Sequence, residues 1–204
     1  SGWLHNVIVS KHADAMEAYP EPNILPREQE DKAEAKVLSS IVPCVLEQNR
    51  FEEVYSTAMW QKMKSGTGVY KVWWDPSKLN GLGDIAIECI NPLNIYWEPG
   101  VTDIQRSPYI FHVELHDKQL LREMYPQLKD QIKSSGFSPR KYNYDDSVNT
   151  ADKAAVIDVY YRRQQPGGKT VLHHIKYCGN TVLTATENEP NGANGLYEHG
   201  RYPY

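Results

Sequence analysis

The sequence has no run of about 18 apolar residues, so no membrane-spanning helix is predicted. It shows no basic segment followed by an apolar one at its start, the pattern of a secretory signal. Cysteine is scarce: Cys44, Cys89 and Cys178 are the only three. No pair stands at metal-ligand spacing, and an odd number argues against a disulfide framework, so they are expected to be buried thiols of a reducing compartment. Basic excess is also missing. Lys and Arg total 22 against 26 Asp and Glu, for a net charge of −4. A surface built as a whole to grip phosphates is therefore disfavoured, although a local basic patch is compatible with this balance.

Catalytic signatures are absent as well. There is no Ser in a GxSxG elbow and no HExxH. GTG at 66–68 follows a predicted helix and precedes a predicted strand, the reverse of a phosphate loop, so it is read as a helix stop. GLGD at 81–84 is read as a hairpin loop. His173 and His174 are neighbours in a strand pattern and point to opposite faces. His112 and His116 share a face but lie roughly 13 Å apart along a strand, too far for both to hold one ion. His12, with Asp14 and Glu17 nearby, is the best remaining acid–base or metal candidate, yet the spacing turns it away from Asp14 on a helix. It is expected to be a packing residue. The small basic clusters, Arg162-Arg163 and Arg140-Lys141, are expected to be solvated charge, with contact to a partner's acidic face as the sharper alternative. No catalytic, cofactor-binding or metal-ligating residue is assigned.

What the chain does have is aromatic surface. It holds 14 Tyr and 5 Trp against 3 Phe. Tyr and Trp bury area while keeping a polar tip, which suits half-buried faces and interfaces. Residues 3–19 carry Leu4, Val7, Ile8, Ala15, Met16 and Tyr19 at helical spacing and stop at the extended PEPNILP. A second helix is predicted over 27–49, its apolar face formed by Leu38, Ile41, Val42, Val45 and Leu46, with a kink or break at Pro43. A third is predicted over 51–64, with Phe51, Val54, Tyr55, Ala58, Met59 and Met63 on one side and Gly66 as its stop.

From Gly68 the period changes. Strands are predicted at 69–76, 85–90, 95–97 and 108–116, followed by a helical insert over 117–135 broken at Pro126. Residues 136–152 are polar and aperiodic and read as a loop. A meander follows: 154–164, 170–178 and 181–186, with an irregular Asn- and Gly-rich tail. The predicted class is α+β: N-terminal helices, then an antiparallel or mixed sheet with a helical insert, and a C-terminal β-meander. The whole of 1–204 is expected to form one domain, with a helical part over 3–66 and a sheet-rich part over 67–204. A chain that opens on a helix and stops at HGRYPY suggests a piece of a longer protein.

The ordered combination of these features resembles a known family. The segment YKVWWDPSKLNGLGDIAIECINPLNIYWEPG (70–100), the preceding LSSIVPCVLEQNRFEEVYSTAMWQKMKSGTG, the linker from Tyr19 to Glu28 and the later DVYYRRQ and TVLHHIKYCGNTVLTAT together resemble the wing region of tailed-bacteriophage and prophage portal proteins. The resemblance covers most of 12–204. It implies a structural protein without catalysis or cofactor. In the longer parent chain it implies a ring, typically of twelve copies, at one capsid vertex. The packaging terminase would dock there, and head-completion or adaptor proteins and capsid or scaffolding proteins would contact the ring. Double-stranded DNA would pass through the channel without sequence-specific binding. The implied location is the virion, with assembly in the bacterial host cytoplasm and no membrane partner. The channel-lining stem and the crown of such proteins have no counterpart here. Trp73, Trp74, Tyr96 and Trp97 are the candidate subunit-contact residues. Two other classes compete with this reading: a small metal-dependent hydrolase or nuclease using His12 or His112 and His116, and a tail or adaptor binding module.

Overall fold

Three helices open the chain: α1 (Gly2–Glu17), α2 (Lys32–Gln48) and α3 (Phe51–Ser65). In the computed structural model residues 2–133, 152–165 and 167–204 are described. They fall into two compact units, one of Ser1–Pro92 with Pro203–Tyr204 and one of Leu93–Tyr202.

In the first unit α1 and α2 both pack on α3. The third helix keeps its expected face: Ala58 is fully buried and Phe51, Val54, Tyr55 and Met59 are partly so. Tyr19, Phe51, Tyr55 and Tyr70 form a ring cluster with centroids 5.4 to 6.4 Å apart. The second helix starts later than predicted, at Lys32, because residues 27–31 form a turn in which Asp31 accepts from the Glu28 amide (3.2 Å). It runs through Pro43 as one helix, so of the kink or break predicted there the break does not occur. Gly66 ends α3 at φ +83°, where its amide caps the Lys62 carbonyl. This is the helix stop expected of GTG.

Strands β1 (Val69–Asp75) and β2 (Asp84–Ile90) form an antiparallel pair with Trp73 opposite Ala86. Their connection contains a single turn, α4 (Lys78–Gly81), in which Leu79 and Asn80 adopt left-handed backbone. Asn49 ties helix to hairpin. Its amide nitrogen donates to the Val45 and Ile85 carbonyls, and its oxygen accepts from the Ile87 amide and the Lys78 ammonium. The Val72 amide donates to the Pro203 carbonyl (2.8 Å), which brings the last residues onto β1.

The second unit is a five-stranded antiparallel sheet in the order β3 (Ile95–Trp97), β4 (Tyr109–Asp117), β5 (Lys153–Gln164), β6 (Thr170–Cys178), β7 (Thr181–Ala185). The sequence suggested one sheet before the insert and another after it. Instead β3 and β4 join the meander, because β4 pairs with β5 along its whole length, from Tyr109 opposite Tyr161 to Asp117 opposite Lys153. The insert is also shorter than predicted. Helix α5 (Lys118–Met124), capped by Asp117, gives way to a 3-10 turn at Pro126–Leu128, and residues 129–133 are not helical. Pro126 removes a backbone donor, and the chain then turns so that Ile132 is fully buried. The loop predicted over 136–152 lies, but for Asp152, outside the described residues.

Strand alternation gives this sheet two unlike faces. One carries the core: Leu121, Ile132, Ala154, Val156, Cys178 and Leu183 pack together, and Ile110, Tyr160 and Leu172 are buried further along. The opposite face is apolar and mostly covered: Val113, Ala155 and Val171 are buried on it, Phe111, Ile157, Val159, Ile175 and Tyr177 are partly buried, and Tyr96 and Val182 are exposed at its borders. The tail is strapped to this unit by Tyr202, whose hydroxyl donates to the Ser107 carbonyl (2.8 Å), and by the Leu196 amide on the Leu172 carbonyl (2.7 Å). Gly195 sits at φ +75° beneath that contact, where a Cβ would lie 2.3 Å from Val171.

Candidate functional site

The four aromatic candidates divide between the units. Trp74 is 53 % exposed on β1, and its ring lies over Gly83, where a Cβ would come within 2.5 Å of it. Trp73, on the opposite face, is half-buried against the Lys71 ammonium, 4.8 Å from the ring centre. That ammonium is buried between Trp73 and Tyr204 and stands 3.8 Å from Glu88. Cation–π contact and a carboxylate together compensate the charge. In the second unit Tyr96 is exposed beside Phe111, whereas Trp97 turns to the other face and donates its indole N–H to the Val101 carbonyl (2.8 Å).

Apolar exposure is not confined to these rings. Helix α1 buries no residue, and Trp3, Leu4 and Val7 are open to solvent. Helix α2 buries only Ala35 and exposes Val37, Leu38 and Ile41, the last two from its predicted core face. Within the same unit a cleft of about 580 Å³ is walled by Tyr19, Pro22, Pro43, Leu46 and Phe51. Four glutamates, Glu21, Glu47, Glu52 and Glu53, line it with the single cation Arg50. That charge opposes phosphate.

The histidines are placed as follows. His12 Nε2 meets the carbonyl and the hydroxyl of Ser56 at 3.1 and 3.0 Å, and its ring stands edge-on to Trp60. It joins α1 to α3, as a packing residue does, while Asp14 and Glu17 are exposed. His173 is buried against the Thr186 hydroxyl (3.3 Å), with its ring tilted against that of Tyr161. His174, on the opposite face, meets Asp158 at 2.6 Å.

His112 and His116 do not meet each other, in line with their spacing, but Glu114 between them reaches both. Its Oε2 is 3.0 Å from His116 and its Oε1 is 3.5 Å from His112 Nδ1. Asp158, opposite His112 in the register, completes a group whose ligand atoms lie within 4.8 Å of one another. Spacing within one strand cannot reveal a partner across the ladder, so this convergence was not legible in the sequence.

On the other face Glu187 gathers Arg163 (2.9 Å) and Tyr161. The hydrogen bonds from Arg163 and Tyr161 hold its carboxyl below the usual range. Burial first, and then the bond to Glu187, push the Tyr161 phenol up to about 12. Of the thiols, Cys178 is buried and Cys89 half-buried, and burial pushes both up, Cys89 to about 11. Cys44 is exposed on α2, which corrects the expectation that all three are buried.

Among the described residues no helix is long and apolar enough to cross a membrane. A family model described as Phage P22-like portal protein matches residues 13–200. No curated protein matches the chain significantly.

Proposed function

Because the chain belongs to the phage P22-like portal protein family, we propose that it forms part of the ring at a capsid vertex through which double-stranded DNA is packaged and later ejected. Membership makes it a structural bacteriophage protein that takes part in virion assembly. The match over 188 residues, 13–200, carries the proposal, since it spans both units.

The ring docks the terminase motor during packaging in the host cytoplasm and head-completion proteins afterwards. It contacts DNA without reading sequence. The net charge of −4 and the glutamates of the cleft favour a wall past which DNA slides over one that holds it. Neighbouring copies meet through Trp74 and Tyr96, the two candidate rings that are exposed, while Trp73 and Trp97 support their strands from within. The partly buried Phe111 beside Tyr96 extends that contact.

Electron microscopy of the longer parent chain tests the reading. Closed rings with a central hole are expected. A parent chain that stays a monodisperse, compact monomer at assembly concentrations overturns it.

A further inference from the structure

The cleft of the first unit joins an apolar floor to a charged rim. Tyr19, Leu46 and Phe51 are partly buried in it, and the Tyr19 and Phe51 rings stand 6.3 Å apart, tilted by 57°. The rim holds the exposed carboxylates of Glu21, Glu47, Glu52 and Glu53 and the single guanidinium of Arg50. Arg50 lies 3.6 Å from Glu53. Among the described residues no ion pair reaches Glu21, Glu47 or Glu52.

Local structure accounts for only part of this charge. Glu52 and Glu53 fall in the first turn of α3, where the positive end of the helix favours acids. Glu47 falls in the last turn of α2, at the negative end, and no basic residue accompanies it there. Glu21 stands on the extended linker beside Pro22. The rim is also felt at the floor: burial, and after it the charge of Glu52, raises the Tyr19 phenol above its ordinary value. A cation entering from outside would relieve this excess, and an anion would add to it.

We propose that the cleft is the docking site for a segment of a partner protein that carries an arginine flanked by apolar residues. A guanidinium can lie flat on an aromatic ring while its N–H fork reaches a carboxylate, and this cleft offers both at once. The aliphatic stem of the arginine and its apolar neighbours cover Leu46 and the prolines. Pro22 and Pro43 supply no amide donors, so these walls hold the segment by apolar contact and charge rather than by backbone pairing. The volume, about 580 Å³, lies in the range that a small ligand or a few side chains fill. The inference rests on one cleft within one unit and does not depend on the ring.

The test titrates the chain into a short fluorescein-labelled peptide of alternating leucine and arginine and reads anisotropy. Saturable binding is expected. The counterpart with citrulline, neutral and of nearly the same shape, is expected to bind at least about tenfold more weakly, and the lysine counterpart severalfold more weakly. E47Q/E52Q is expected to weaken binding by about tenfold, and R50Q, which removes the competing cation, to tighten it severalfold. E30Q/E34Q makes the same change in net charge at exposed positions outside the cleft and is expected to leave the affinity unchanged. All these side chains are exposed, so every variant should melt as the wild type does. Equal losses in the two double variants would reveal a general attraction to an acidic chain and overturn the assignment. So would equal binding of the citrulline or lysine peptide, or displacement by spermidine at the peptide's own concentration, which would mark a site for small polyamines.

Discussion

The two units solve the problem of stability differently. In Leu93–Tyr202 a long antiparallel ladder supports side chains that are fully buried, among them Ile110, Ile132, Val156 and Leu172. In the first unit three helices of 15 to 17 residues bury one alanine in α2, one in α3 and nothing in α1. Ala35 and Ala58 contribute little apolar area by themselves, and fully burying a larger aliphatic side chain is worth about 1.5–3 kcal/mol each. The helices instead rely on half-buried aromatic rings and on Asn49, while Trp3, Leu4, Leu38 and Ile41 stay in water. A domain that folds alone covers such residues. A wall element can leave them for a neighbour to cover.

Substitutions can sharpen or break that contrast. Leu172→Ala is expected to cost about 2–5 kcal/mol, read from the denaturant midpoint, because the fully buried site cannot collapse onto the gap. Gly195→Ala comes next. Its positive φ and the approach of Val171 and the Leu172 carbonyl make a cost of about 1–3 kcal/mol the expected result of the same experiment. Arg50→Gly works in the opposite direction. Arg50 holds left-handed backbone at φ 48° between α2 and α3, so glycine should stabilise the first unit by about 1 kcal/mol. Ile41→Ser, at 49 % exposure, should change the melt of the isolated chain by less than about 0.5 kcal/mol yet weaken assembly of the parent ring. If it unfolds the isolated chain instead, the comparison between the units is wrong.

The last effect is invisible at neutral pH. The Tyr161 phenol is raised to about 12, so the stability it contributes is complete below pH 10 and is lost as pH climbs through 12. Ultraviolet titration should show a tyrosine ionising well after the bulk, and Glu187→Gln should bring it partway down by removing the negative charge, while burial, the larger cause, stays.

Much of this architecture could be read from the chain. Helical spacing placed α1 and α3 within a residue or two, and Gly66 ended α3 as its type requires. The meander followed from alternation and from Gly179-Asn180. What could not be read were matters of pairing. Nothing local in YIFHVELH says that it will lie against AAVIDVYY, and that register is what sets Asp158 beside His112 and Glu114. Local pattern also overstated the insert, since QLKDQIK has good helix formers, but burying Ile132 after Pro126 prevails over them. The apolar stripe of α2 predicted a buried face; propensity and period cannot tell whether the covering surface belongs to the same molecule.

The hydrogen bond from Val72 to Pro203 has a consequence for how the chain is born. Residues 93–202 emerge from the ribosome as one uninterrupted stretch and can settle as they appear. The first unit emerges earlier but must wait with one strand edge open, because the residues that close it are translated some 110 positions after its own last helix–hairpin segment. Order of synthesis and order of completion are thus reversed, and a nascent chain stalled before Pro203 would present a sticky β1 to whatever chaperone or sister chain is near.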